Sequence, residues 1–249
     1  MNESPSTQNG EAAKPKRIIA FLDNFWYHYK WHSIIALFLI FALTVCMLQM
    51  CQKESYDSYI LYAGNYEIDR NGKNGDISDY ETVTGMLERV APDTNKDKKT
   101  SVSLKDLFVL TDEEMLEIEN SDKETEVHYP LILENREILR DTMVYSNYYV
   151  TLLSPAVYEE YRTVDEIYMF TNLRTLNITS SDVIFYDDSA VLLSSTGFYK
   201  LPGICDLPQD TLVCLRNSSA FASHFNKDEA KQAYEAGVET VENIINYPK

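Results

Sequence analysis

Few side chains suit nucleophilic or acid–base catalysis, and they are scattered along the chain. Two histidines, His128 and His224, lie beyond the apolar amino-terminal stretch, and His224 follows serines at positions 218, 219 and 223. A serine beside a histidine can be an activated nucleophile, but a histidine at a surface or helix start is the common alternative. The chain contains no G-x-S-x-G and no H-E-x-x-H motif, so it predicts no catalytic residue.

Oxygen-bearing side chains alternate in DTNKDKK, where Asp93, Asn95 and Asp97 take every second position. This spacing resembles positions 1, 3 and 5 of the calcium loops of EF-hand and dockerin proteins. Lys98 stands in place of the turn glycine of that loop, and Leu104 in place of its bidentate glutamate. The three residues are therefore a candidate for a weak calcium site, with a solvated turn as the alternative. No other metal site and no cofactor is predicted.

Four cysteines are present, and two of them lie in the carboxyl-terminal half. Cys205 and Cys214 fall in GICDLPQDTLVCL, two short apolar runs joined by a turn-like DLPQD. If the two runs pair as a hairpin, a disulfide would close a loop worth roughly 2–3 kcal/mol. Cys205–Cys214 is therefore a candidate disulfide, and two buried free thiols are the alternative.

Carboxylates and tyrosines are abundant, and both can form binding surfaces. The pairs Asp187-Asp188 and Glu159-Glu160 could serve acid–base chemistry, but their spacing does not single them out, and we predict solvated faces. The chain has 18 tyrosines, several of them between positions 145 and 168. Such an aromatic cluster can hold a sugar or a peptide, whereas half-buried packing is the alternative.

An apolar stretch near the amino terminus decides where these residues act. Its 18 residues from Ser33 to Met50 carry no charge, and as an α-helix they would span roughly 27 Å, close to the hydrocarbon thickness. Roughly thirty residues precede the stretch, and bulky Met50 stands where a signal peptidase needs a small residue. We therefore predict an uncleaved transmembrane anchor over residues 33–51.

The flanks of the anchor predict its orientation. Four basic residues precede it, at positions 14, 16, 17 and 30, which favours a cytoplasmic amino terminus and an extracytoplasmic carboxyl-terminal domain. Amphipathic rings crowd the same boundary and are predicted to lie in the membrane interface: Trp26, Tyr27, Tyr29 and Trp31.

The chain divides into five predicted segments. These are a disordered cytoplasmic tail over 1–17, an aromatic juxtamembrane segment over 18–32, the transmembrane helix over 33–51, a linker over 52–57 and an α/β domain over 58–249. The juxtamembrane segment is either a helix in the membrane interface or part of a longer, tilted anchor helix.

Strand and helix signals alternate beyond the linker. Strands are predicted over 58–64, 102–110 and 148–153, and capping residues predict helix starts at Ser78, Thr111 and Ser154. Residues 163–166 predict a further brief helix, residues 182–215 turn β-like, and a last helix opens near residue 226. This order predicts the α/β class: a single transmembrane helix followed by a mixed, parallel-centred sheet flanked by helices.

Charge limits the partners of this domain. The first 52 residues carry four basic and three acidic side chains, so the other 18 basic and 36 acidic residues give the rest of the chain a net charge of −18. A domain this acidic repels nucleic acid, which is excluded as a partner. The expected partners are the lipid bilayer and a protein, peptide or envelope component.

Three features together resemble uncharacterised single-pass membrane proteins of the clostridial type: FWYHYKWH before the anchor, YILYAG after it, and an acidic α/β domain ending in a helix. The unit YYVTLLSPAVYEEY is also similar to a piece of a periplasmic-binding-protein fold. The predicted function is a membrane-anchored extracytoplasmic binding or accessory domain without catalytic activity. The alternatives are a solute- or peptide-sensing module related to periplasmic binding domains and a cell-envelope hydrolase.

Overall fold

A computed structural model describes residues 14–51, 56–71, 78–120, 129–164, 166–217 and 227–249. His128, His224 and the serines at 218, 219 and 223 lie outside the described residues, as does most of the predicted linker. The chain forms two compact units, Met1–Ser55 and Tyr56–Lys249.

The amino-terminal unit contains one long helix, α1 (Lys14–Cys51). Its segment Tyr29–Met47 has a mean hydropathy of 1.8 and no buried residue, and within the described ranges it is the one stretch apolar and long enough to cross a membrane. The helix runs unbroken through the juxtamembrane segment, as the longer-helix alternative expects. It begins before the predicted end of the disordered tail, and Pro15 is compatible with its first turn, where the missing N–H leaves no unpaired donor.

The second unit is built on a six-stranded sheet with the order β2-β1-β3-β8-β7-β6. Its strands are β1 (Ser58–Gly64), β2 (Val102–Phe108), β3 (Val150–Leu153), β6 (Phe185–Asp187), β7 (Ala190–Leu192) and β8 (Leu212–Leu215). β1 pairs in parallel with both β2 and β3, whereas β8, β7 and β6 follow in antiparallel pairing. The predicted fold class, a mixed sheet with a parallel centre, is confirmed.

Helices cover both faces of the sheet, so alternate residues of β1 enter two different cores. Ile60 and Tyr62 pack on the side of α2 (Asp79–Glu88) and α6 (Lys227–Ile245). Leu61 and Ala63 pack on the side of α4 (Tyr129–Tyr145) and α5 (Pro155–Tyr161). Burial on both faces explains why this strand reads as a continuous apolar run.

The predicted helix starts are confirmed by their hydrogen bonds. The Ser78 hydroxyl accepts from the Glu81 backbone N–H, and the Glu81 carboxylate accepts in return from the Ser78 N–H. The hydroxyl of Thr111 accepts in the same way from the N–H of Glu114, at the start of α3 (Asp112–Asn120). Ser154 caps α5, with Pro155 at the first helical position.

The brief helix predicted at residues 163–166 is wrong. The segment forms a two-stranded hairpin of β4 (Thr163–Val164) and β5 (Ile167–Tyr168), and Glu166 between them has a φ of 66°. A left-handed residue cannot continue a right-handed helix, and the β-branched residues around it favour extended backbone. The capping pattern at these residues was a local match, and the chain instead reverses direction there as a hairpin.

The candidate disulfide is also wrong, because Cys205 and Cys214 are both free. Cys214 is buried in β8, whose neighbours are β3 and β7 rather than the run that contains Cys205. Cys205 is exposed in a helical turn, with its backbone N–H donating to the carbonyl of Leu201 at 3.1 Å. The hairpin that would have joined the two sulfurs does not form.

Candidate binding site

The carboxyl ends of the three parallel strands meet at one edge of the sheet. The N–H of Val109 donates to the carbonyl of Gly64 at 2.9 Å, and the N–H of Ser154 donates to the carbonyl of Ala63 at 3.0 Å. β1 lies between β2 and β3 in the sheet, so the connection after β1 runs to one neighbour and the connection after β2 crosses to the other. The strand order therefore reverses at β1. Open α/β sheets bind ligands in the crevice outside such a switch point.

A cavity of about 530 Å³ lies at this edge, and we call it the acidic crevice. α3, α4, α5 and β6 each contribute to its wall. The lining residues are Thr111, Asp112, Glu113, Arg136, Pro155, Ala156, Glu159, Glu160 and Tyr186. Four carboxylates and one guanidinium make the crevice negative, so a ligand with positive charge fits it best.

Arg136 ties the walls of the acidic crevice together. Its Nη1 donates to Oδ1 of Asp112 at 2.5 Å, and its Nη2 lies 3.7 Å from Oε1 of Glu160. The hydrogen bond to Asp112 raises the pKa of Arg136, which keeps the guanidinium charged. Because these partners lie on three helices, the ion pairs link α3, α4 and α5 at the wall of the cavity.

A second cavity, of about 280 Å³, lies between α5, the β4–β5 hairpin and the turn that joins β6 to β7. We call it the tyrosine pocket, and its lining residues are Tyr158, Arg162, Tyr168, Phe170, Asp187, Asp188 and Ser189. The hydroxyl of Tyr158 donates to Oδ2 of Asp187 at 2.6 Å. Burial, followed by this hydrogen bond, raises the pKa of Tyr158, so the phenol remains a donor.

Glu159 connects the two cavities. Its carboxylate accepts from the hydroxyl of Tyr186 in the acidic crevice at 3.2 Å and from Nη1 of Arg162 in the tyrosine pocket at 3.1 Å. One carboxylate therefore contributes a wall to the acidic crevice and a hydrogen-bond partner to an arginine of the tyrosine pocket.

Each side chain of the calcium candidate has one oxygen bonded to the backbone of its own loop. Asp93 accepts from the N–H of Lys98 at 2.9 Å, Asn95 from the N–H of Asp97 at 2.8 Å, and Asp97 from the N–H of Lys99 at 2.7 Å. Across the described ranges, no group of three or more His, Cys, Asp or Glu side chains could hold a metal ion. These hydrogen bonds are those of a turn, but among the described residues Oδ1 of Asp93 is buried without a hydrogen-bond partner, so the weak calcium site stays a prediction.

The four aromatic residues predicted to lie in the membrane interface have exposed side chains in the structure. Trp26, Tyr27, Tyr29 and Trp31 are all exposed on α1. The predicted tyrosine cluster instead divides between packing and surface: Tyr149, Tyr158 and Tyr161 are buried, whereas Tyr145 and Tyr168 are exposed. Packing therefore accounts for the buried members of the cluster, and a binding role for the exposed ones stays a prediction.

Both cavities depend on residues that the sequence did not single out. The acidic pairs predicted as solvated faces line them, Glu159-Glu160 in the acidic crevice and Asp187-Asp188 in the tyrosine pocket. The two arginines were missed as well. The sequence signal that could have identified Glu159, Glu160 and Arg162 is the Ser154-Pro155 helix start. It places the following two helical turns at the carboxyl edge of the sheet.

Comparison with known proteins found no protein family model, no curated protein and no solved structure that matches this chain. The resemblance to clostridial-type membrane proteins therefore stays a prediction.

Proposed function

We propose that this protein is a single-pass membrane protein whose helix α1 holds the acidic α/β domain outside the cytoplasm, where the domain binds a partner without catalysing a reaction. The observation that carries the proposal is the surface of α1. Its segment Tyr29–Met47 contains one charged residue, Lys30, and the apolar side chains of Leu37, Phe38 and Phe41 are 65–69% exposed. Lipid solvates such a surface, and water does not.

The orientation follows from the basic residues before the anchor. Lys and Arg flanking a span are retained on the cytoplasmic side, and α1 carries them at its amino-terminal end. The net charge of −18 beyond residue 52 belongs to the part that crosses. Negative charge does not hinder translocation in the way that positive charge does.

Two cavities at one end of the domain support a binding role. Their polar groups are carboxylates, arginines and a tyrosine that stays protonated, arranged around openings of about 530 and 280 Å³. The partner of the acidic crevice is a protein, peptide or envelope component that presents positive charge, because four carboxylates there face one arginine.

A cysteine-labelling experiment on intact cells tests the topology. Cys205 is exposed and Cys214 buried, so a membrane-impermeant maleimide should modify Cys205 in a Cys51→Ser background. The variant that also carries Cys205→Ser is the control for background and should not be labelled. A cysteine placed before the anchor, Ser6→Cys in the variant lacking both cysteines, should react only after permeabilisation.

If the maleimide labelled Ser6→Cys in intact cells and labelled Cys205 only after permeabilisation, the orientation would be the opposite of the one proposed. Recovery of the full chain in the soluble fraction after lysis without detergent would refute membrane anchoring itself.

A basic peptide tests the role of the acidic crevice. Hexalysine should bind the detergent-solubilised full chain, and the double variant Glu113→Gln/Glu160→Gln should bind it about fivefold more weakly. Glu134→Gln/Glu137→Gln also removes two charges, at exposed α4 positions outside the crevice, and serves as the matched control. Equal affinity for the double variant and its control would mean that the peptide binds elsewhere.

A further inference from the structure

The tyrosine pocket places groups of both charges beside a buried aromatic floor. We propose that it binds a small zwitterion, an α-amino acid with an apolar or aromatic side chain. This inference rests on the proposed function, because it names a ligand for the domain to which that function assigns binding. It concerns a cavity separate from the acidic crevice, with a ligand of different charge.

The floor of the pocket is built from packed aromatic rings. The rings of Tyr158 and Phe170 stack with their centroids 5.1 Å apart, and both side chains are almost fully buried. Tyr186 meets the ring of Tyr158 edge-on at 5.8 Å. Tyr168 is 72% exposed and adds a second aromatic surface. A hydrocarbon side chain that covers the exposed ring of Tyr168 would leave water without disturbing a polar group.

Carboxylates form the negative part of the pocket. Oδ2 of Asp187 accepts from the hydroxyl of Tyr158, and Oδ1 accepts from the N–H of Ser189 at 2.7 Å. Two donors hold the carboxylate in one orientation yet use about half of its acceptor capacity. Asp188 pairs with Nε of Arg174 at 2.7 Å and is otherwise open to solvent. An ammonium group can therefore bind these carboxylates without breaking the hydrogen bonds of Asp187 to Tyr158 and Ser189 or the ion pair of Asp188 with Arg174.

Arg162 forms the positive part. Its Nη1 donates to both oxygens of Glu159, at 3.4 and 3.1 Å. Its Nη2 lies 3.9 Å from Oδ2 of Asp187, which is too long for a hydrogen bond. In the part of the chain that the structure describes, the Nε and Nη2 donors of this guanidinium make no hydrogen bond. Two adjacent donors in a fixed plane match the two oxygens of a carboxylate.

The mixture of charges selects the ligand class. A simple anion would meet two carboxylates in the pocket, and a simple cation would meet Arg162. A zwitterion satisfies both, with its carboxylate on Arg162 and its ammonium on Asp187. The volume of about 280 Å³ lies just below the usual range for ligand pockets, so the ligand is no larger than a single amino acid.

Three probes with one ring test this assignment on the full chain in detergent micelles. L-phenylalanine carries both charges, phenethylamine only the ammonium, and 3-phenylpropanoate only the carboxylate. By isothermal titration, phenylalanine should bind with a Kd below about 1 mM, and each singly charged analogue at least about tenfold more weakly. Glycine should bind more weakly than phenylalanine, because it leaves the aromatic floor uncovered.

Variants separate the two charged ends. Arg162→Gln should weaken phenylalanine about tenfold and leave phenethylamine unchanged. Asp187→Asn should weaken phenylalanine and leave 3-phenylpropanoate unchanged. Arg140→Gln and Asp141→Asn, two exposed α4 positions outside the pocket, are matched controls and should bind like the wild type. Tyr168→Ala removes an exposed ring, so it should fold normally and lose affinity.

No heat of binding for phenylalanine at about 10 mM would overturn the inference, as would an equal loss in the Arg162→Gln variant and its Arg140→Gln control. Tighter binding of phenethylamine than of phenylalanine would show a cation site instead. Because the titration uses solubilised protein, its result does not depend on membrane orientation. A chain that is labelled at Cys205 from outside but does not bind phenylalanine refutes this inference alone.

Discussion

The helices at the two ends of the chain, α1 and α6, show two ways of covering apolar side chains. In α6 the buried residues form one stripe along the helix: Ala236, Gly237, Thr240, Val241, Ile244 and Ile245. In α1 the large apolar residues between positions 34 and 47 are exposed all round, and the structure buries none of them.

The difference lies in spacing rather than in apolar content alone. Apolar residues repeated every three or four positions give a helix one dry face, which a sheet can cover, while its charged side stays in water. Apolar residues at every position leave no face for water, so the whole surface needs an apolar solvent. Under the proposed function, that solvent is lipid.

The largest contrast is expected from removing one isoleucine side chain from each helix. Ile244→Ala should lower the free energy of unfolding of the domain by about 2–5 kcal/mol, because Ile244 is fully buried against the sheet. Ile40→Ala, its matched control in α1, should leave that free energy unchanged. Urea unfolding in detergent, followed by the near-ultraviolet circular dichroism of tyrosine, reports chiefly on the domain, since 16 of the 18 tyrosines lie beyond α1. Equal losses for the two variants would contradict the contrast.

An arginine introduced into the apolar surface of α1, and another on the water-exposed surface of the domain, test the same difference. Leu39→Arg, near the centre of the candidate span, should cost about 3 kcal/mol of membrane insertion, because a guanidinium is poorly solvated in hydrocarbon. Carbonate extraction of membranes should then release much of the protein. Leu116→Arg, on the exposed surface of α3, should stay fully membrane-bound. Retention of the Leu39→Arg chain would show that α1 is not held by its apolar surface.

The end of α6 depends on a close contact that tolerates no added atom. A Cβ on Gly197 would collide with the main-chain carbonyl oxygens of Tyr247 and Pro248, just beyond the helix. Gly197→Ala should therefore lower the free energy of unfolding by about 1–3 kcal/mol. Gly85→Ala, in α2 with open space around it, should instead raise it by about 0.5–1 kcal/mol. Thermal unfolding of the two variants measures the change in stability of each. An unchanged stability in Gly197→Ala would mean that Tyr247 and Pro248 do not pack against Gly197.

The smallest effect concerns polar groups, which the two regions also treat differently. In α1 the hydroxyl of Thr44 bonds to its own helix, at the carbonyl of Ile40. In the domain the buried carboxylate of Asp57 accepts from the backbone and hydroxyl groups of Thr94 and Ser101 and from the N–H of Asn95. Burial alone would raise the pKa of Asp57, but these hydrogen bonds outweigh it and lower the pKa below 3.8.

A lowered pKa means that the folded state favours the charged carboxylate. Asp57 therefore stabilises the fold fully above pH 3.8, and this stability is lost as the pH falls through the folded-state pKa. Asp57→Asn should cost about 1–2 kcal/mol at neutral pH, and its deficit relative to the wild type should shrink below pH 3.8. Urea midpoints of the two proteins between neutral pH and acid give the comparison. A deficit that stays constant across this range would remove Asp57 from the acid dependence of the domain.

Local signals predicted much of the fold. The strand at 58–64, the caps at Ser78 and Thr111, and the Ser-Pro start of α5 all depend on residues within a few positions of each other, and the structure has each of them. The predictions at residues 163–166 and at Cys205 used equally local patterns and were wrong. There the partner strand and the direction of the chain depended on residues far away in sequence.

The candidate site shows the same limit. The sequence identified Glu159-Glu160 and Asp187-Asp188 as pairs of carboxylates but gave no reason to prefer them to the other acidic residues. Their importance comes from α5 lying beside the β6–β7 turn, which brings Tyr158 and Asp187 into hydrogen-bond contact across 29 positions of sequence. No periodicity within either segment contains that information.

The sequence by itself determined an uncharged helical stretch of 18 residues, an acidic domain and the alternation of strands with capped helices, because composition, spacing and capping act within one or two turns of chain. Only the tertiary structure decided which carboxylates face a cavity, which arginine keeps donors available, and why two cysteines never meet. Those outcomes depend on which strands pair, and pairing is set by burial on both faces of the sheet at once.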